Sequence, residues 1–117
     1  MKSLFIINDP PYGTERVYNA LRLMHALVRK EPSMQVTVFL IADAVLAGKA
    51  QQKTPDGYYN VERMLKRVLS SEGVVLLCGT CMDARGISDT ELIDGARRST
   101  MDELASATVE ADRVLVF

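Results

Sequence analysis

Four short apolar runs, each separated from the next by a stretch of helical periodicity, constrain this chain more than any other feature. Leu4 to Ile7, Val36 to Ile41, Val74 to Leu77 and Val114 to Phe117 are continuous rather than alternating, the pattern of strands buried on both faces. Between the first two, Val17, Ala20, Leu21, Met24, Leu27 and Val28 recur on one helical face, with Thr14 expected as the N-cap and Pro32 as the stop. Before the third run, Val61, Met64, Leu65, Val68 and Leu69 follow the same template; Asn60 is the expected cap, and Gly73 is expected to end the helix in a left-handed conformation. Strands alternating with helices predict an α/β fold, a parallel sheet covered by helices on both faces and joined by right-handed crossovers.

After the third run, Ser88-Asp89-Thr90-Glu91 matches a capping box and predicts a short helix to Ile93, closed by Gly95. A fifth, short strand is expected around Ala96 to Ser99, at a sheet edge because Arg97 and Arg98 would be costly in its middle. Thr100-Met101-Asp102-Glu103 is a second box opening a last helix, and the closing run Val114 to Phe117 is apolar enough to predict a buried strand. Asp43 to Tyr59 is the least regular segment. Ala44 to Ala47 fits one helical turn, whereas Gly48 to Tyr59 is polar with Pro55 and Gly57. A connection this long either serves a site or partner surface, for which Tyr58 and Tyr59 are suited, or is a mobile surface loop.

At 117 residues, with 48% hydrophobic and 25% charged residues, the sequence is expected to form one domain, residues 1–117, and to be neither disordered nor membrane-embedded. Fourteen basic against fifteen acidic residues, with no Lys/Arg cluster along the chain, leave direct nucleic-acid binding unexpected. The apolar stretch near Met1 is too short for a secretory or membrane-spanning segment, so a cytoplasmic location is expected. In a reducing compartment, two cysteines point away from a structural staple.

Both cysteines lie in Cys78-Gly79-Thr80-Cys81-Met82-Asp83-Ala84-Arg85-Gly86, directly after the third run. The run delivers Cys78 to a strand's carboxyl end, the edge at which ligands meet open α/β sheets. Four readings of this CxxC stand. Zinc wants about four ligands, and only His25 supplements the thiols; it flanks the apolar face of the first helix and reads as a boundary residue, so no metal or other cofactor is expected. A dithiol oxidoreductase would want Cys78 exposed at a helix N-terminus, but the motif comes late for a thioredoxin-like order. A sulfur carrier would use Cys78 as a persulfide acceptor, helped by Gly79, Thr80 and Arg85 as hydrogen-bond donors or cation and opposed by Asp83, with Cys81 as a resolving thiol. In the fourth reading, both cysteines pack inertly in a tight turn.

The loop Asn8 to Thr14 occupies the phosphate-loop position after the first strand, yet two prolines and a single glycine leave few N–H donors. A nucleotide or flavin site is therefore not expected, and a phosphorelay receiver fails because Cys78 stands where an acidic acceptor is needed. Tyr12 and Thr14 are retained as possible pocket lining, beside their simpler reading as turn and cap residues.

Read together and in order, Pro11-Tyr12-Gly13-Thr14, Leu40-Ile41-Ala42-Asp43-Ala44-Val45, Gly57-Tyr58-Tyr59-Asn60, the cysteine loop, and Ala111-Asp112-Arg113-Val114-Leu115-Val116-Phe117 resemble the DsrE/TusD sulfur-relay family, and within it the small YchN-like branch. The resemblance spans the whole chain. It implies a three-layer α/β/α domain whose five parallel strands run in sequential order with the last beside the first. It further implies homo-oligomers, hexamers or trimers, and a Cys78 persulfide passed between sulfur-donor and sulfur-acceptor proteins, towards tRNA thiolation or in oxidative sulfur metabolism. The alternative it leaves is a non-catalytic homo-oligomeric binding module whose cysteines pack or pair. Cys81 matches the YchN-like branch but not every relay protein.

Overall fold

A computed structural model describes residues 1–117. Each apolar run becomes a strand: β1 (Lys2–Ile7), β2 (Gln35–Leu40), β3 (Val74–Cys78) and, last in the chain, β5 (Arg113–Val116), while β4 is the short Arg97–Ser99. All neighbours pair in parallel, in the order β4-β3-β2-β1-β5. Helices α1 (Arg16–Lys30), α2 (Val61–Ser70), α3 (Gly79–Ala84) and α4 (Met101–Glu110) make the connections. The first crossovers all step towards β4, so right-handedness puts α1 and α2 on one face of the sheet; the return from β4 to β5 reverses direction and puts α4 on the other. The result is the three-layer α/β/α architecture with five parallel strands.

Parallel register aligns the core in rows. Phe5, Val38 and Val75 form one row and Ile7 with Leu40 and Leu77 the next, all fully buried beneath α1 and α2. On the opposite face Ile6, Phe39 and Leu76 form a row under α4, from which Leu104 is the only buried side chain. The closing strand departs from expectation. Although apolar, β5 is an edge strand, with Val114 41% and Val116 64% exposed, because α4 packs on β1 and leaves that edge uncovered. Leu115 and Phe117 turn inward against the core, Phe117 stacking on Phe5 with ring centroids 6.2 Å apart.

Helix termini show what local signals do and do not specify. Asn60 caps α2 as expected, accepting from the Arg63 N–H at 3.1 Å, and Thr100 caps α4, accepting from the Glu103 N–H at 3.1 Å. Helix α1 begins one residue later than predicted: Glu15 holds the cap position with no side-chain bond, while the Thr14 hydroxyl accepts from the Arg16 N–H at 3.4 Å and donates to Asp9 at 3.2 Å. The predicted helix after Ser88 is reduced to one 3₁₀ turn, Asp89–Glu91, although its capping box forms in full.

The left-handed residue after α2 is Glu72, with φ 65°, and not Gly73. Its N–H reaches the Leu69 carbonyl at 3.2 Å and that of Gly73 reaches Val68 at 2.9 Å, the paired bonds of a Schellman end. Gly73 is required for a different reason, since a Cβ there would lie 2.6 Å from Val68 Cγ1 and 2.8 Å from the Val68 carbonyl oxygen. A non-glycine residue in this conformation costs about 1–2 kcal/mol. Glu72→Gly is therefore expected to stabilise the fold by roughly 0.5–1 kcal/mol after allowance for the more flexible unfolded chain. Urea unfolding checks this: an unchanged or lower midpoint would contradict it.

The long connection between β2 and α2 is well anchored. It opens with a 3₁₀ helix, Ala42–Gly48, and the following extended stretch is tied down through Gln52. The Gln52 side-chain amide donates to the Ala47 and Lys49 carbonyls, both at 2.9 Å, and its backbone N–H donates to Glu62 Oε1 at 2.8 Å. The Tyr12 hydroxyl donates to Gln52 Oε1 at 2.6 Å and accepts from the Val61 N–H at 3.1 Å, tying the loop after β1 to the start of α2. No helix is long and apolar enough to cross a membrane.

Candidate functional site

Cys78 is the last residue of β3 and the first before α3, paired in register with Ser99 at the end of β4. The chain can turn into a helix here because Gly79 has no side chain: a Cβ would sit 3.0 Å from Arg98 Cγ and Nη1 and 3.1 Å from the Ser99 carbonyl oxygen. Strand β4 thus closes directly over the cysteine loop. Gly86, with φ 66°, ends α3 after a single turn and a half.

The turn aims donors at Cys78 Sγ. The Cys81 N–H donates to it at 3.3 Å, and the Thr80 hydroxyl lies 3.2 Å away. Burial opposes the charged form of this 8% exposed side chain, but hydrogen bonds from the Cys81 and Thr80 side chains and their backbone N–H groups outweigh it and bring the Cys78 thiol below its usual range. Cys81 behaves oppositely. Burial, then the hydrogen bond to Cys78, pushes its thiol up, against the Ala42 N–H that donates to Cys81 Sγ at 3.3 Å. Ala42 makes that bond from a left-handed conformation, φ 54°, which a non-glycine residue adopts only at a cost. The two sulfurs are thus differentiated, Cys78 as the better thiolate and Cys81 as the better proton holder.

A pocket of about 310 Å³ opens beside Cys78, between the starts of α3 and α4. Phe39 lines its inner wall, Thr80 and Met101 its mouth, and Arg98 with Ser99 the side formed by β4. Arg98 is the principal polar residue that sequence reasoning missed. Its Nη1 donates to the Gly79 carbonyl at 3.1 Å, while Nη2 and Nε pair with Asp83 and Asp89 at 3.0 and 2.8 Å. The carboxylate of Asp83, expected to oppose a thiolate, is therefore offset by a cation. The available signal was topological: a right-handed crossover from β3 brings the end of the next strand level with Cys78.

The remaining expected residues are distributed differently. Arg85 turns away to Asp43, donating to Oδ1 from Nε at 2.9 Å and from Nη2 at 2.7 Å, and to the Cys81 carbonyl at 3.0 Å. It braces the loop after β2 against α3, and its charge acts on Cys81. Tyr12 lies in the anchoring network with Gln52 and Val61, and Thr14 lines a separate depression with Tyr18, Tyr58 and Tyr59. Neither lines the Cys78 pocket. No group of three or more His, Cys, Asp or Glu side chains is placed to hold a metal ion.

Alkylation of Cys78 requires its thiolate, so the midpoint of its pH-rate profile is expected below that of an unperturbed cysteine. Thr80→Val removes one hydroxyl donor and should move that midpoint upward, making the thiol slower at neutral pH. Iodoacetamide rates across pH, with peptide mapping of the site, check both statements; a profile unmoved in Thr80→Val would contradict the role given to the hydroxyl.

Comparison with known proteins places this geometry in context. The DsrE/DsrF-like family matches residues 1–117. Protein YchN of Escherichia coli K12 is 44% identical over 116 residues, covering 99% of this chain and 98% of that protein. A crystal structure of the E. coli ychN protein superposes with a TM-score of 0.92 over 100% of both chains, again at 44% identity. Sulfurtransferase TusD of Salmonella typhi is 26% identical over an alignment of 129 residues that covers both chains entirely.

Proposed function

The chain belongs to the DsrE/DsrF-like family, and from that premise we propose that it is a cytoplasmic sulfur carrier in which Cys78 accepts a sulfur atom as a persulfide and passes it to a partner protein. The observation that carries this reading is the pair of donors, the Cys81 N–H and the Thr80 hydroxyl, converging on the one sulfur whose thiol is lowered. The name of the TusD relative, a sulfurtransferase, points the same way.

The chemistry balances without an external oxidant. Cys78 thiolate attacks the outer sulfur of a donor persulfide; a new S–S bond forms on Cys78, the donor's S–S bond breaks, and the donor leaves as a thiolate. The same donors then hold the terminal persulfide anion beside the pocket, where Arg98, already paired with Asp83 and Asp89, keeps the nearest carboxylate from acting as an unopposed negative charge. An acceptor thiolate repeats the exchange on the outer sulfur. In the absence of an acceptor, Cys81 can attack Cys78 Sγ, forming the Cys78–Cys81 disulfide and releasing hydrosulfide, which assigns it the resolving role.

The reading includes self-association into a homo-oligomer, a trimer or hexamer. Val114 and Val116 on β5 are exposed beside an unpaired strand edge, with Met101 and Val109 exposed on α4 at 62% and 86%. Open edges and apolar faces of this kind are normally covered. A second reading, a non-catalytic oligomeric module with packing or redox-paired cysteines, is favoured by one observation, the near-complete burial of Cys78. Incubation of reduced protein with a persulfide donor, followed by intact mass and peptide mapping, separates the two. Gain of one sulfur on Cys78 supports the carrier; no gain in native protein whose unfolded form alkylates readily supports the module.

A further inference from the structure

The chain-wide charge balance conceals a local concentration of arginine. Helices α1 and α2 lie side by side, and an open groove of about 730 Å³ runs between them. Arg22 and Arg29 line it from α1, and Arg63 and Arg67 from α2. No Asp or Glu is among its lining residues. The arginines elsewhere are largely spoken for: Arg16, Arg85, Arg97 and Arg98 are in ion pairs, whereas none of the groove arginines is. Helical spacing sets Arg22 and Arg29 on one stripe about 10 Å apart and Arg63 and Arg67 about 6 Å apart. His25, between the two rows, is held below its usual range by burial and then by the charges of Arg67 and Arg29, so the groove carries a positive field of its own.

At the end nearest the carboxyl edge of the sheet the groove runs into a stack of tyrosines. Arg22 lies 5.3 Å over the Tyr18 ring, Tyr18 stacks on Tyr59 at 4.3 Å, and Tyr59 on Tyr58 at 4.6 Å. Tyr18 and Tyr59 also line a second depression of about 430 Å³, so the two hollows adjoin at these rings. Tyr58, at 50% exposure, presents the stack to solvent.

We propose that this groove binds single-stranded nucleic acid, with phosphates on Arg22, Arg29, Arg63 and Arg67 and a base on the exposed Tyr58 ring. Guanidinium forks take phosphates and carboxylates alike. The aromatic stack beside the cationic groove favours the former, because bases stack on such rings in any sequence whereas the carboxylates of an acidic peptide do not. Four unpaired cations along an extended groove also exceed what one small phosphate needs. The inference is independent of Cys78.

The test is fluorescence anisotropy with a labelled single-stranded RNA of about a dozen nucleotides, over a range of salt concentrations. Four phosphate contacts predict a log–log salt slope of roughly -3, since each contributes about -0.7 on a single strand. Arg63→Ala/Arg67→Ala and, independently, Arg22→Ala/Arg29→Ala should each reduce the slope to about half; all four side chains are exposed, and thermal unfolding confirms that the variants fold. Tyr58→Ala should weaken binding roughly five- to a hundredfold, while Arg113→Ala, on β5, should leave it unchanged. NMR of His25, the sole histidine, should show its pKa rising when RNA is bound. No binding at low salt, or binding that neither arginine pair alters, overturns the proposal. Displacement of the RNA by poly-glutamate at equal charge also overturns it, in favour of an acidic protein partner.

Discussion

Cys78→Ser is expected to reduce sulfur uptake from a persulfide donor to background. A serine hydroxyl in the same place accepts the same hydrogen bonds, but it stays protonated at neutral pH and cannot form the S–S bond that holds the transferred atom. Because the two side chains are nearly isosteric and Cys78 is one small member of a large core, the fold should survive, with stability within about 1 kcal/mol of the parent. Cys81→Ser makes the informative contrast. It keeps the backbone N–H that donates to Cys78 Sγ, so uptake should persist, while release of hydrosulfide through the internal disulfide should stop. Intact mass distinguishes these species. Uptake in Cys78→Ser equal to that of the parent would end the carrier reading; a Cys81→Ser protein that still released hydrosulfide at the parental rate would end the resolving role.

Phe39→Ala should be the most damaging single substitution near the site. Phe39 is fully buried in β2, where it packs in the row with Ile6 and Leu76 and forms the inner wall of the pocket beside Cys78. Truncation of a buried phenylalanine costs about 3–5 kcal/mol, from lost transfer free energy and the cavity left behind. Against a total stability of about 5–15 kcal/mol, that is enough to leave the protein marginal. The cavity would open towards the pocket and admit water beside Cys78, so alkylation should accelerate even in molecules that remain folded. Denaturant unfolding and iodoacetamide rates test the two parts separately. A loss under about 1 kcal/mol would mean that α4 collapses onto the sheet readily, and that this face is more adaptable than its burial implies.

Much of the fold was legible because its signals are local. Continuous runs such as Leu4 to Ile7 read as strands since both faces of a parallel sheet are apolar, and the caps at Asn60 and Thr100 act through bonds three residues long. Errors arose where two local solutions compete. Gly73 was expected to take the left-handed position, but close approach to Val68 claims that glycine, and Glu72 accepts the strained conformation. The closing strand is apolar yet exposed in the isolated chain, because sheet position depends on crossover direction and not on composition.

The candidate site divides along the same line. By itself the sequence determined that a thiol stands at a strand's carboxyl end with a second thiol one helical turn on, since strand termination at Cys78 and the turn at Gly79 are decided by neighbouring residues. Only the tertiary structure decided which charges meet there. Arg85, seven positions after Cys78, is drawn off to Asp43, and Arg98, twenty positions after it, is brought in by the pairing of β4 with β3. The four arginines of the α1–α2 groove are likewise scattered in the sequence and gathered only by helix packing. Hydrogen bonding along the backbone and side-chain periodicity are short-range and can be read from a window of residues. Electrostatic neighbourhoods are set by distances across the fold, and those exist only once the sheet has ordered its strands.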